Sequence, residues 1–262
     1  MKSKLLVFIN SRTFREYLFS GICVVVFVLL WQFLYLAKWI NPIFIGSPLG
    51  AISNLPNILT NQTIVLGLLG SVEAVIIGLS IAVICGVCIG LSAGIYRKVY
   101  LALRPFIYGV EAIPKLVLLP IILLWTGLSI YSKIFLIVLM TIFPIITTAT
   151  NAVKDIDPNI INMALSFNKR RGNLIFKIYL PATITQILNA IRISINKAFV
   201  AVVIAEFFGI GKGFGYYISY YGGTYQVDKM MAIILTLGLI DAILIFTILL
   251  IEKSARKHFG QE

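Results

Sequence analysis

Residues 64–96 read IVLGLLGSVEAVIIGLSIAVICGVCIGLSAGIY, and within them Gly70, Ala74, Gly78, Ala82, Gly86, Gly90 and Gly94 recur at every fourth position. An α-helix brings i and i+4 to one face, so these small side chains form a stripe along which another helix can approach closely. The stripe serves either packing within the chain or an interface between subunits. As a helix the run extends some 50 Å, more than the ~30 Å hydrocarbon core of a bilayer, so it tilts steeply or continues beyond the membrane.

The chain around this stretch is 60% hydrophobic and 12% charged, with a mean hydropathy of +0.99. That composition excludes a water-soluble globule and describes an integral membrane protein, with the lipid bilayer as its solvent. Near-uncharged runs occur at Tyr17 to Ala37, Ile64 to Tyr96, Pro105 to Ser132, Ile134 to Val153, Ile178 to Gly211 and Met230 to Ile251. At about 20 residues per crossing they predict an all-α, polytopic protein with six transmembrane helices. A single transmembrane domain, 17–251, then lies between a segment 1–16 and a tail 252–262.

The formal net charge of +12 suggests nucleic acid at first sight, but lysine and arginine cluster at the ends of the apolar runs, as they do at a cytoplasmic membrane face. Nucleic acid is therefore set aside as a partner. With the N-terminus inside, most basic residues fall on the cytoplasmic side. Lys38, Lys133, Lys212 and Lys229 fall outside, and Lys115 and Lys197 lie within spans. Both termini are expected in the cytoplasm. The first apolar run lacks a small-residue cleavage site after it and reads as an uncleaved span.

Ionisable residues inside the spans are candidates for a translocation path or for mutual neutralisation. Glu111 and Lys115 are four apart and can pair on one face of the third span, where Pro114 and Pro120 predict a kink or break. Lys197 and Glu206 interrupt the fifth span and Asp241 the sixth, whereas Arg192 can snorkel to the cytoplasmic surface. Cys85 and Cys88 have C-x-x-C spacing but apolar neighbours, so redox or zinc chemistry is not expected of them.

Catalytic signatures are sparse. His258 is the one histidine, and no metalloprotease or nucleophile-elbow motif occurs. The stretch Gly209-Ile210-Gly211-Lys212-Gly213-Phe214-Gly215 has a phosphate-loop flavour, but Gly213 stands where a Walker loop needs Ser or Thr. A turn or re-entrant loop is expected there. No cofactor is expected on this chain, and a channel or secondary transporter is compatible with these features.

The segment Asn162 to Pro181, NMALSFNKRRGNLIFKIYLP, is basic and amphipathic, between the fourth and fifth spans. Asp157-Pro158 is a helix start, with an acceptor at the cap and proline at the first position. Ile160, Ile161, Ala164 and Leu165 supply an apolar face, and Asn168 suits a left-handed stop. A second helical stretch, Gly172 to Tyr179, is expected to end at Leu180-Pro181. The simplest role for such a loop, 154–177, is docking a soluble partner.

On these residues the sequence resembles the inner-membrane permease subunits of ATP-binding-cassette importers, in the nitrate/sulfonate/taurine-type branch. That family carries E-A-A, three residues, G, nine residues, I-x-L-P. Asn162, Met163 and Ala164 stand in the first three places, Asn168 in the glycine place, and Ile178, Leu180 and Pro181 at the end, with the spacing intact. Asn162 removes the family's acid, while asparagine at 168 tolerates the left-handed turn. Ser47-Pro48, Arg104-Pro105, Trp125-x-Gly127, Phe143-Pro144 and Ala205-Glu206 extend the likeness over most of the chain.

The resemblance implies a multi-pass subunit of a prokaryotic cytoplasmic (inner) membrane. A second permease chain, in a homodimer, would complete the pathway, and an extracytoplasmic binding protein would deliver the solute. A cytoplasmic ATPase dimer, holding ATP and Mg, would receive the coupling helix. Asp157, Pro158, Asn162, Met163, Ala164, Leu165, Asn168, Arg170 and Arg171 are the implied docking residues. Glu111, Lys115, Lys197, Glu206 and Asp241 are the translocation-path candidates. A nitrate-, sulfonate- or taurine-like anion is the implied solute. The alternatives are a vitamin precursor such as a pyrimidine or flavin, or an ATP-independent secondary transporter.

Overall fold

The computed structural model describes residues 12–39, 41–166 and 174–259. In chain order the helices of eight residues or more are α1 (Arg12–Leu36), α2 (Pro48–Thr60), α3 (Gln62–Ile95), α4 (Arg97–Ala112), α5 (Leu119–Thr126), α6 (Ile130–Lys154), α7 (Pro158–Ser166), α8 (Leu180–Phe207), α9 (Phe214–Gly223) and α10 (Val227–Phe259). No strand occurs among the described residues. Five stretches, Leu18–Leu36, Gln62–Ile95, Ile130–Lys154, Ile175–Phe207 and Val227–Lys257, are long and apolar enough to cross a membrane. Arg97–Ala112 with Lys115–Thr126, bent by 88°, makes a sixth when counted as one span.

The chain divides into two compact units, Met1–Asn61 with Ile218–Leu235 and Gln62–Tyr217 with Thr236–Glu262. In the first, α1 is almost wholly apolar beyond Tyr17 and exposed from Leu18 to Leu30. Asp228 organises the turn into α2: its Oδ1 accepts from the Ser47 amide at 2.7 Å, while Ser47 Oγ caps the helix by accepting from Gly50 N–H at 2.7 Å.

In the second unit α6 is the hub, with α3 packed along one side and α8 along another. The small-residue stripe of α3 is the contact with α6. A Cβ at Gly78 would come within 2.7 Å of Ile137, at Gly86 within 2.9 Å of Ile145, at Gly90 within 2.6 Å of Ala149 and at Gly94 within 2.5 Å of Val153. These partners on α6 are themselves spaced by four or eight residues, so two matching rows mesh along the helices. The close approach lets Thr150 Oγ1 donate across the seam to the Gly90 carbonyl at 3.1 Å.

Prolines account for two departures from regular helix. Ile113 precedes Pro114 and is extended at φ −80°, ψ 130°, which ends α4 and starts a 3₁₀ turn, Lys115–Leu118. The expected third span is thus broken rather than kinked. The stretch leading into the fifth span does not stop at Leu180-Pro181 as expected. It runs through a π turn, Ile175–Tyr179, directly into α8, with the Leu180 N–H donating to the Ile175 carbonyl five residues back. The wider turn accommodates a proline that offers no N–H.

The seam yields a contrast between two glycines of one stripe. Gly90→Val should destabilise the fold by about 1–3 kcal/mol through overpacking, seen as a lowered unfolding temperature in detergent. Gly70→Val, where a Cβ meets nothing within 4 Å, should leave that temperature unchanged.

Candidate functional site

Three constellations hold the chemistry-bearing residues of the second unit. The most buried centres on Glu206, 1% exposed in the last turn of α8. Its Oε1 lies 2.7 Å from Lys133 Nζ and accepts from Ser71 Oγ at 2.6 Å, while Oε2 accepts from the Gly215 N–H at 2.9 Å. Lys133, expected as an extracytoplasmic charge, is instead buried. It sits near the start of α6, which runs antiparallel to α8, so the two charges meet. The glycine-rich stretch 209–215 folds onto this carboxylate. A Cβ at Gly213 would overlap Ser71 Oγ and Glu206 Oε1, and one at Gly215 would overlap the Val203 carbonyl. The turn expected there is a lid on a buried ion pair, not a phosphate cradle. Taking both ions from water carries a desolvation penalty of several kcal/mol each, which the pair and its added hydrogen bonds offset.

The second constellation lies at the broken span. Glu111, Lys115 and Lys197, three of the five path candidates, line one cleft of about 360 Å³ with Met140 and the Ile113-Pro114 break. The Glu111–Lys115 side-chain pair expected from i,i+4 spacing does not form, because the extended backbone at Ile113 interrupts the helix that would align them. Lys115 Nζ donates instead to the Glu111 main-chain carbonyl at 3.3 Å and lies 5.6 Å from the centre of the Phe143 ring. Asp241 stands apart from this cleft. With its amide nitrogen turned toward α10, Asn196 donates to both Asp241 carboxylate oxygens, at 3.1 and 2.5 Å, beside an apolar cleft of about 490 Å³ between α8 and α10. Arg192 is half-buried and donates to Asn189 Oδ1 at 2.6 Å. Glu73, passed over by the apolar pattern, is exposed on α3.

The third is α7, which starts where Asp157-Pro158 predicts. Asp157 Oδ1 accepts from the Asn159 N–H at 2.8 Å, and its carbonyl from the Ile160 N–H at 3.0 Å. The apolar residues divide between two faces. Ile161 and Ala164 pack against Leu91, Ala149, Val153, Leu174, Tyr179 and Ile187. Ile160 and Met163 face outward, 52% and 63% exposed, with Asn162 also exposed. Leu165 lies within the helix, while Asn168, Arg170 and Arg171 lie outside the described residues.

A helical bundle of this length and apolarity, with a short amphipathic helix capping the ends of three spans, is a polytopic membrane subunit. The chain belongs to the family of binding-protein-dependent transport system inner membrane components, which matches residues 86–257. Members are transport subunits rather than enzymes. The putative aliphatic sulfonates transport permease protein SsuC of Bacillus subtilis is 30% identical over 172 residues, 66% of this chain and 62% of that protein. The taurine transport system permease protein TauC of Escherichia coli is 26% identical over 224 residues, covering 84% and 82%. Among solved structures, a chain of the inward-facing MetNI methionine ABC transporter shares the fold, with a TM-score of 0.67 at 16% identity, over 74% of this chain and 96% of that one.

The buried pair should behave as a unit. Lys133→Met alone should cost about 3–5 kcal/mol by stranding the Glu206 carboxylate. Adding Glu206→Gln should recover much of that loss, read as non-additive shifts in a double-mutant cycle of thermal unfolding.

Proposed function

We propose that this chain is the transmembrane permease subunit of an ATP-binding-cassette importer, with α7 as the helix that docks into a separate ATPase. The observation that carries the reading is the division of α7 into two faces. Ile161 and Ala164 hold it against the ends of α3, α6 and the start of α8, while Ile160 and Met163 present apolar side chains outward from a helix outside the spans. Exposed apolar anchors at i and i+3 suit insertion of a helix into a groove.

In this reading two copies form the pathway, and each of two ATPase subunits receives one α7 from the loop 154–177. ATP and Mg are held by the ATPase, and an external binding protein delivers the solute. Both termini lie in the cytoplasm, as the lysine and arginine distribution favours. Closure of the ATPase dimer displaces α7, and the packing behind Ile161 and Ala164 passes that displacement to the spans, switching access between the two sides. Sulfonate- or taurine-like solutes are the proposed cargo, after the two relatives named for them.

The test is capture of the partner ATPase in detergent. Ile160→Asp with Met163→Asp should abolish co-purification while leaving the unfolding temperature of the chain unchanged, because both side chains point outward. Undiminished capture by the double variant would reject α7 as the docking element.

A further inference from the structure

Residue numbers rise along α4 as they fall along α6, and polar residues of the two helices meet in rank. Glu111 shares the broken-span cleft with Met140, Arg104 shares a groove with Thr147 and Asn151, and the Tyr100 ring centre lies 3.2 Å from Lys154 Nζ. One polar face thus continues from that cleft to the end of α6. Thr147 Oγ1 is buried in it without a hydrogen-bond partner among the described residues, whereas Thr141 on the same helix donates to the Ile137 carbonyl. Pro144 offers no N–H to the carbonyl of Met140, four residues back. Arg104, Tyr108 and Asn151 are exposed, and Arg104 forms no ion pair among the described residues.

Long basic side chains near the end of a span reach the headgroups by their own length, which would account for Arg104 and Lys154 taken alone. Thr147 and Asn151 are too short for that, and Thr147 stands seven residues before Lys154, about 10 Å from the end of α6. An unsatisfied hydroxyl, a carbonyl without its helical donor and an exposed guanidinium are each costly against lipid tails, and water answers all three. We infer that the polar face shared by α4 and α6 is a wall of the solute path between the broken-span cleft and the α7 side, with Arg104, Thr147 and Asn151 as lining residues. The inference rests on the permease reading above and adds a route to it. The groove itself is shallow, about 10 Å³, room for one water. It is therefore a wall and not a chamber, and in the two-copy reading the second copy supplies the facing wall. No carboxylate lines the groove, so Arg104 sets its potential.

The test is thiol labelling of the full chain in lipid nanodiscs, with Cys23, Cys85 and Cys88 first replaced by alanine. Thr147→Cys and Asn151→Cys are compared with a lipid-facing control, Phe246→Cys, at a residue 60% exposed on α10 and six positions before Glu252. The anionic reagent sulfonatoethyl methanethiosulfonate should modify the two groove positions on the order of tenfold faster than the control, because thiolate and reagent both need water. Adding Arg104→Gln to Thr147→Cys should slow the anionic reagent and speed its trimethylammonium counterpart, each about threefold, the effect of one unit charge several Å away in water. Labelling of Thr147→Cys no faster than the control, with or without reaction at Asn151→Cys, would mark at most a headgroup-level rim and overturn the path. Rates indifferent to Arg104→Gln would remove Arg104 from it. ATPase capture by each variant shows that it is folded. Capture without preferential labelling rejects the path and keeps the permease, whereas failure of the unaltered chain to capture rejects the permease reading itself.

Discussion

The close approach of α3 to α6 is the constraint on which the second unit depends. In lipid no hydrophobic effect drives helices together, so packing contacts and interhelical hydrogen bonds must do so. The glycines of α3 let Ile137, Ile145, Ala149 and Val153 reach its backbone, and the Thr150 to Gly90 hydrogen bond forms at that short separation. Once α3 and α6 are in register, α8 finds its groove, with Ala82, Ile145 and Ala190 in one buried cluster. At the start of α6 and the end of α8 the same arrangement brings Lys133 to Glu206, and Ser71 of α3 joins them. The ion pair is therefore a product of the packing as well as a clasp upon it.

At the opposite end of this bundle a second cluster joins the same three helices. Leu91 of α3, Ala149 and Val153 of α6, and Ile187 of α8 meet Leu174 and Tyr179, and the inner face of α7 rests on them. The mechanical consequence is direct. A force on α7 acts on the ends of helices already locked together along the seam, not on a loose loop. Close-packed interiors resist small deformation and transmit it, which is what the docking role proposed for α7 requires.

Between these two ends lies the broken span, and its chemistry comes from backbone geometry. Pro114 forces Ile113 out of the helical region and releases carbonyl groups that a continuous helix would have used. Lys115 answers one of them, which frees the Glu111 carboxylate from the pairing its spacing invites. A local rule of proline thus creates an electrostatic arrangement that helical periodicity alone would have denied.

The sequence by itself determined the all-helical membrane class with its five or six candidate spans, the cap at Asp157-Pro158 and the small-residue stripe. These depend on composition, on the 3.6-residue repeat and on proline and capping chemistry, all local along the chain. The family resemblance was legible for the same reason, in short motifs at fixed spacing. Tertiary structure alone decided what each charge meets. Lys133 looks external and Glu206 looks free until antiparallel helices bring position 133 to position 206. Glu111 and Lys115 look paired until the break separates their side chains, and Lys197 joins their cleft from a helix some 80 positions further along. Helical periodicity assigns a side chain to a face, but its partner is set by which helix packs there, and that depends on the energy of the whole bundle rather than on any window of sequence.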